Sequence, residues 1–146
     1  MSKEAAKLGG EVIDEARWEA LRIERGLPRF GVEFDTTFYP QEASVEKLAV
    51  SFSKGCYLGQ EVVYMLENRG HVKRKLVPLD LEGEAPAALG APVTTAEGAA
   101  VGEVKSSVMG PTRKLPVAIA MVKWAQAKPG TELRVDGRRA TVRAFP

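Results

Sequence analysis

One short stretch near the middle of the chain combines residue types that could carry out chemistry. It reads Lys-Gly-Cys-Tyr-Leu-Gly-Gln-Glu from Lys54 to Glu61 and is called the octapeptide below. Cys56, the single cysteine, follows a lysine and precedes a predicted helix start, where free backbone N–H groups create a positive end. Both features favour the nucleophilic thiolate. The octapeptide therefore indicates a reactive thiol, although a small buried hydrophobe is the more usual role of a lone cysteine.

Other residues of the octapeptide have types that suit ligand binding. Gly55 and Gly59 allow backbone N–H groups to approach an anion closely. Gln60 and Glu61 place polar groups in the first turn of the predicted helix, and the ring of Tyr57 can pack against a planar group. A simpler interpretation makes the charged residues a surface ion pair and the glycines turn formers. The residues alone leave both interpretations open.

Glu24 is a second candidate, because it falls on the apolar side of a predicted helix. Asp14 is the predicted N-cap, the helix runs from Glu15 to Arg25, and Gly26 follows as the C′ residue. At about 100° per residue the helix has an apolar stripe that encloses Glu24. The stripe consists of Ile13, Ala16, Ala20, Ile23 and Leu27. A buried carboxylate needs a partner, a ligand or water. An ion pair with Arg29 and contact with a ligand both remain open.

Composition sets the limits on fold and function class. The chain has 146 residues, 45% hydrophobic and 27% charged, which is typical of one folded domain or two small modules. One cysteine excludes an internal disulfide, and with one histidine the chain has no ligand set for its own zinc or iron–sulfur site. The sequence shows neither an apolar run of about 20 residues nor a secretory signal, so we expect a cytoplasmic protein without membrane contact.

The second half of the sequence has the pattern of a small β-barrel. Six short β-like runs are separated by turn residues, and Asp136-Gly137 is a strong hairpin signal. Regular strands without intervening helices predict a closed antiparallel barrel. The predicted strands are Val72 to Leu81, Ala91 to Thr95, Ala99 to Val108, Leu115 to Lys123, Thr131 to Val135 and Arg138 to Phe145.

The first half is predicted to be a mixed α/β module. After the first helix, residues 29–47 have the composition of an ordered loop, Leu48 to Phe52 alternate like a strand, and Leu58 to Asn68 show helical spacing. The fold class is therefore α+β. We predict an α/β domain over residues 1–69 and a six-stranded antiparallel β-barrel over residues 70–146.

The octapeptide resembles the signature of the YgfZ family, which is related to the glycine-cleavage T-protein. Residues 21–31, Leu-Arg-Ile-Glu-Arg-Gly-Leu-Pro-Arg-Phe-Gly, resemble the segment that precedes this signature, and the strand series ending at Phe145 resembles the family's C-terminal barrel. The chain thus resembles the C-terminal half of the family. This resemblance implies a folate-dependent accessory protein for the assembly or repair of iron–sulfur enzymes, with tetrahydrofolate as cofactor and iron–sulfur enzymes as partners.

The resemblance also implies roles for individual residues. Cys56 and Lys54 would form the working site, and Glu24 would hold the pterin of tetrahydrofolate. Further folate contacts are expected from Arg22, Tyr57, Gly55, Gly59, Gln60 and Glu61, and no metal ligand is expected. In the family, the part that precedes this segment supplies most of the folate cavity, so binding is expected to need it. Without that cover, exposed apolar surface predicts self-association of the chain.

Two other functions remain open. One is an aminomethyltransferase that transfers a one-carbon unit to tetrahydrofolate, although T-proteins usually lack the cysteine of the octapeptide. The other is a non-catalytic barrel module that contacts RNA or an acidic protein. Its candidate residues are Arg69, His71, Lys73, Arg74 and Lys75. Residues 70–146 carry twelve Lys/Arg against seven Asp/Glu, but the cluster lacks the interleaved aromatic residues of single-strand recognition. We therefore do not expect nucleic acid as a partner.

Overall fold

A closed antiparallel barrel forms the second half of the protein, and three short helices precede it in the part of the chain that can be described. The computed structural model describes residues 7–68 and 70–145. The helices are α1 (Glu15–Glu24), α2 (Glu46–Ala49) and α3 (Gln60–Asn68). The strands are β1 (Arg74–Leu81), β2 (Pro92–Thr94), β3 (Ala100–Met109), β4 (Pro116–Lys123), β5 (Glu132–Val135) and β6 (Arg138–Val142).

The barrel confirms the fold predicted for the second half. Its strands are hydrogen-bonded in the order β1-β4-β3-β2-β5-β6, and β6 closes the barrel by pairing with β1. The β5–β6 hairpin turns at Asp136 and Gly137, whose φ angles of 51° and 74° are the positive values that such two-residue turns require. All six strands occur where the sequence predicts them, with ends that differ by up to three residues.

Strand β4 is buried on both faces, which explains its almost continuous apolar sequence. Ala118, Ala120 and Val122 point into the barrel. The alternate residues face an outer cluster under α1 and the loop that follows it, in which Ile23 of α1 packs. The β4 side chains in this outer cluster are Val117, Ile119 and Met121. The strand therefore joins the barrel core to the helical segment.

Helix α1 begins and ends as predicted. The Asp14 side chain accepts the Arg17 backbone N–H at 2.8 Å, which caps the N-terminus. At the other end Gly26 has a φ of +75° and lies against β1, where a Cβ on it would come within 2.7 Å of the Pro78 Cβ. The apolar stripe is less buried than predicted, since Ala16 is exposed. The buried residues of the helix are Arg22, Ile23 and Glu24.

The strand predicted at Leu48 to Phe52 is wrong. Residues Glu46–Ala49 form α2, in which the Ala49 N–H donates to the Val45 carbonyl at 2.8 Å. Apolar alternation over five residues does not distinguish a strand from a helical turn, and local hydrogen bonds decide here. Apart from a single bridge between Phe30 and Phe34, residues 7–68 contain helices and turns.

Helix α3 begins at Gln60, two residues after the predicted start, and extends to Asn68 as predicted. None of the helices in the described ranges is long and apolar enough to cross a membrane. The division into two domains at residues 69 and 70 stays a prediction.

Candidate functional site

Glu24 is buried, and its carboxylate is held by the turn between β3 and β4. One carboxylate oxygen accepts the backbone N–H of Arg113 at 2.6 Å, and the other accepts that of Thr112 at 3.0 Å. The residue is only 4% exposed. The predicted alternative, an ion pair with Arg29, is wrong, because Arg29 pairs with Glu15 and Glu19 on the other side of the helix. Two backbone donors therefore offset the cost of burying this charge.

The β3–β4 turn can approach Glu24 closely because residue 110 is a glycine. A Cβ on Gly110 would lie 3.3 Å from the Glu24 side-chain Cδ and 3.1 Å from the Leu115 carbonyl oxygen. These distances are shorter than ordinary carbon contacts, so a larger residue would push the turn away from the helix. The position of the carboxylate thus depends on a small residue in the turn.

An open cleft of about 470 Å³ lies beside Glu24. Two arginine side chains meet there at Asp80: Arg113 pairs with one carboxylate oxygen at 2.6 Å, and Arg143 pairs with the other at 2.9 Å. The Arg143 guanidinium also donates to the Glu24 carbonyl at 2.6 Å, where a cation is favoured by the C-terminal end of α1. Burial lowers the pKa of Arg143. The cleft is lined by Leu21, Glu24, Arg25, Thr112, Arg113, Arg143 and Ala144.

Arg22 is buried in a hydrogen-bond network that connects α1 to the following loop and to β3. Its guanidinium donates to both carboxylate oxygens of Glu33 at 3.1 Å, to Glu19 at 2.6 Å and to the Leu27 carbonyl at 2.8 Å. Glu33, whose side chain is fully buried, also accepts the hydroxyl of Ser106 and the backbone N–H of residue 29. Burial lowers the pKa of Arg22, but the hydrogen bonds to Glu19 and Glu33 outweigh it and raise the pKa overall. A direct bond from Arg22 to folate stays a prediction and would require one of these bonds to be exchanged.

The octapeptide forms an exposed turn that leads into α3. Cys56 is a free and exposed thiol, so the buried-hydrophobe interpretation is wrong. The ammonium of Lys54 lies 4.6 Å above the centre of the Tyr57 ring. Gly59 has a φ of +85°, which a residue with a side chain rarely adopts, and Gly55 has open space where a Cβ would be. The loop is thus accessible, and its positive charge lies next to an aromatic face.

The remaining octapeptide residues have mixed environments. Gln60 donates its N–H to the Tyr57 carbonyl at 3.2 Å, and the side chain of Glu61 is exposed. The Tyr57 hydroxyl is buried and has no hydrogen-bond partner among the residues that the structure describes. The cleft beside Glu24 contains no octapeptide residue. Arg22 does not line that cleft either, so the predicted folate contacts of Arg22 and of the octapeptide stay predictions.

The structure also shows functional candidates that the sequence does not reveal. Arg113 and Arg143 line the Glu24 cleft and both pair with Asp80, and Arg143 is 119 positions from Glu24. The dipeptide Gly110-Pro111 predicts a turn, but no neighbouring residue in the sequence indicates that this turn binds the carboxylate of Glu24. Only the three-dimensional fold brings these charges together.

Helix α3 exposes most of its apolar side chains. Val62 and Met65 of the helix are 39% and 51% exposed, and Leu58, in the turn just before it, is fully exposed. The buried residue is Val63, whose carbonyl accepts the Gln41 side-chain N–H at 2.9 Å. This uncovered face has the character expected of a contact surface, and self-association of the chain stays a prediction.

The basic residues considered for RNA contact are largely engaged within the protein. Arg74 pairs with Glu42 at 3.0 Å, and Lys75 pairs with Glu46 at 3.0 Å. His71 stacks on Trp124 with ring centres 4.1 Å apart. Lys73 is exposed, and Arg69 lies outside the described residues. Much of the positive charge of this cluster is therefore neutralised locally.

Comparison with known proteins identifies the barrel and its relatives. Residues 74–145 match the glycine cleavage T-protein C-terminal barrel domain. An aminomethyltransferase of Herpetosiphon aurantiacus is 32% identical over 138 residues, which cover 94% of this chain and 38% of that protein. The tRNA-modifying protein YgfZ of Sodalis glossinidius is 44% identical over 87 residues, which cover 58% of this chain and 26% of that protein.

A solved structure supports the same relationship. The crystal structure of glycine cleavage system aminomethyltransferase T from Bartonella henselae superimposes with a TM-score of 0.80 at 25% identity, over 99% of this chain and 41% of that one. The chain thus spans about two fifths or less of the length of these relatives. The barrel therefore matches the glycine cleavage T-protein C-terminal barrel domain, and the chain is like the C-terminal part of the YgfZ and aminomethyltransferase proteins.

Proposed function

We propose that the chain acts in a cytoplasmic, folate-dependent accessory protein for the assembly or repair of iron–sulfur enzymes. The observation that carries this proposal is the buried Glu24 carboxylate, which two backbone N–H groups hold at the edge of an arginine-rich cleft. The two backbone N–H groups of the turn account for part of the requirement for a carboxylate here. Its remaining lone pairs can accept the paired N–H donors of a ligand.

The chemistry of a reduced folate is complementary to the cleft. Each oxygen of Glu24 accepts one backbone N–H and retains further acceptor capacity, so the carboxylate can accept a pair of N–H bonds from the aminopyrimidine edge of a pterin. The side chains of Arg113 and Arg143 pair with Asp80, so the acidic tail of a folate would bind them by taking the place of that carboxylate.

Cys56 is the proposed working thiol of the same protein. It is exposed on the octapeptide, two positions after Lys54, and it lies outside the folate cleft. A surface thiol on a glycine-rich turn is accessible to a large partner such as an iron–sulfur enzyme. Folate binding and thiol chemistry are therefore separable functions, which single substitutions can distinguish.

The test is a calorimetric titration of tetrahydrofolate into the chain and three variants. Glu24→Gln replaces one acceptor oxygen by a donor, and we expect it to weaken binding by about ten-fold or more, since a hydrogen bond to a charged group contributes roughly 1.5–3 kcal/mol. Cys56→Ala and the control Glu84→Gln, which changes an exposed carboxylate that does not line the cleft, should bind like the parent. Equal binding by the parent and Glu24→Gln would overturn the assignment, and absence of binding by every form would mean that this chain alone does not form the folate pocket.

The names of several relatives favour a second candidate, an aminomethyltransferase. Relatives with this name are 29% to 35% identical to the chain. The octapeptide with its cysteine, which resembles the YgfZ signature, argues against it. An assay of one-carbon transfer to tetrahydrofolate tests this candidate. Turnover above the uncatalysed rate would support an aminomethyltransferase.

The name of the YgfZ relatives favours a third candidate, contact with tRNA through the barrel. The ion pairs of Arg74 and Lys75 leave little free charge for this purpose. Binding of tRNA that weakens steeply as salt rises, and that is lost on Lys73→Glu, would support it.

A further inference from the structure

A second cleft, separate from the one beside Glu24, lies between β1, the turn after β4 and the C-terminal residues 143–145. We propose that it binds a small ligand that carries both an aromatic ring and a carboxylate. The cleft has a volume of about 510 Å³, which is within the range of roughly 300–1,000 Å³ for small-molecule sites. We call it the Trp124 pocket. It shares Arg143 with the Glu24 cleft and otherwise has its own lining.

The apolar part of the Trp124 pocket is suited to a planar ring. Trp124, Pro129 and Phe145 contribute to its lining. The indole of Trp124 stacks on His71 with ring centres 4.1 Å apart and planes 12° apart, and this contact limits its rotation. Trp124 is nevertheless 46% exposed, so much of the ring is free to contact a ligand. A flat aromatic group gains both burial and stacking in such a place.

The charged part of the pocket is entirely cationic. Lys75, Lys128 and Arg143 line it, and none of the lining residues is acidic. Lys75 pairs with Glu46 at 3.0 Å and Arg143 pairs with Asp80 at 2.9 Å, through carboxylates that do not line the pocket. Lys128 is exposed and forms no ion pair within residues 7–68 and 70–145. The charge available to a ligand is therefore positive and is centred on Lys128.

These two features together define the ligand class. A simple anion would gain little, because an exposed ion pair contributes only about 0.2–1 kcal/mol. A neutral ring would form no ion pair with Lys128. A ring that carries a carboxylate satisfies both parts of the pocket, and the inference does not depend on folate binding at Glu24.

The experiment compares three probes by calorimetry. 2-Naphthoate carries the ring and the charge, 2-naphthamide carries the ring alone, and acetate carries the charge alone. We expect saturable binding of naphthoate about two- to five-fold tighter than that of naphthamide, which is the equivalent of one exposed ion pair. We expect no saturable binding of acetate. Equal affinities of naphthoate and naphthamide, or no saturable binding of either, would overturn the proposal.

Variants place the binding in this pocket. Lys128→Gln should remove the preference for naphthoate over naphthamide, whereas Lys123→Gln, an exposed lysine that does not line the pocket, should keep it. Trp124→Ala should weaken both aromatic probes. Glu84→Gln, which changes an exposed carboxylate that does not line the pocket, should leave naphthoate binding unchanged. A preference that persists in Lys128→Gln, or that disappears in Lys123→Gln, would show that the ligand binds elsewhere and would contradict the assignment.

Discussion

The carboxylate of Glu24 accepts the backbone N–H of Arg113 at 2.6 Å, and the two residues are 89 positions apart in the chain. The second carboxylate oxygen accepts the N–H of Thr112 in the same turn. Glu24 lies at the C-terminal end of α1, and the turn joins two barrel strands. This single side chain therefore connects the helical segment to the barrel, in addition to any role in binding.

The first prediction concerns the structural part of this role. Glu24→Ala should lower the free energy of unfolding by about 1–3 kcal/mol, because two backbone donors lose their acceptor. Urea denaturation measures this difference. The exposed Glu84→Ala should stay within about 0.5 kcal/mol of the parent. Equal stability of the Glu24 and Glu84 variants would contradict a connecting role.

The second prediction concerns the end of α1. Gly26→Ala should destabilise the protein more than Gly90→Ala, although the two glycines have nearly the same φ, +75° and +76°. Both substitutions strain the backbone, at a cost of about 1 kcal/mol or more. Only at residue 26 does the new Cβ also meet a side chain, that of Pro78 at 2.7 Å. Thermal unfolding of the two variants measures their loss of stability. Equal losses would mean that Pro78 moves away from the new Cβ at no cost in free energy.

The third prediction concerns the buried ion pair of Arg22 and Glu33. Glu33→Gln should lower the free energy of unfolding by about 3–5 kcal/mol, because the guanidinium loses its buried counter-charge. Arg17→Gln removes an exposed pair with Glu11 and should cost at most about 1 kcal/mol. Chemical denaturation of the two variants gives both values. Comparable losses would show that the buried pair does not determine the packing of α1.

The fourth prediction concerns the thiol. Cys56 should react with thiol reagents in the folded protein without denaturant, since it is exposed. Lys54→Gln should slow the reaction with the anionic reagent dithiobis-nitrobenzoate roughly two- to three-fold, because a nearby positive charge attracts it. The reaction with neutral iodoacetamide should change less. Stopped-flow absorbance follows the first reagent, and an equal effect on both would point to a change in the thiol itself.

The barrel could be predicted from the sequence because its signals are local. Apolar runs separated by turn residues mark the strands, and Asp136-Gly137 fixes one hairpin with two positive φ angles. The ends of α1 were equally predictable, since Asp14 and Gly26 act within their own turns. The false strand at Leu48 to Phe52 shows the limit of this approach, because a five-residue pattern carries too little information.

The candidate site could be predicted only in part. Helical spacing places Glu24 among buried residues, and the family resemblance supplies a ligand for it. Its actual partners, Thr112 and Arg113, come from a turn in the barrel, and no local rule connects them to α1. The wide exposure of the octapeptide could not be deduced either, because burial depends on what packs over it.

The most direct test of the central claim, a folate site at Glu24, is a titration of the ¹⁵N-labelled chain with tetrahydrofolate followed by NMR. The amides of Thr112 and Arg113 report on the carboxylate, because they donate to it. We predict that these two signals and that of Gly110 shift most, that they saturate together, and that Glu24→Gln abolishes the effect. Saturable shifts confined to other residues would contradict a folate site at Glu24, and no shifts at all would mean that this chain alone does not form the pocket.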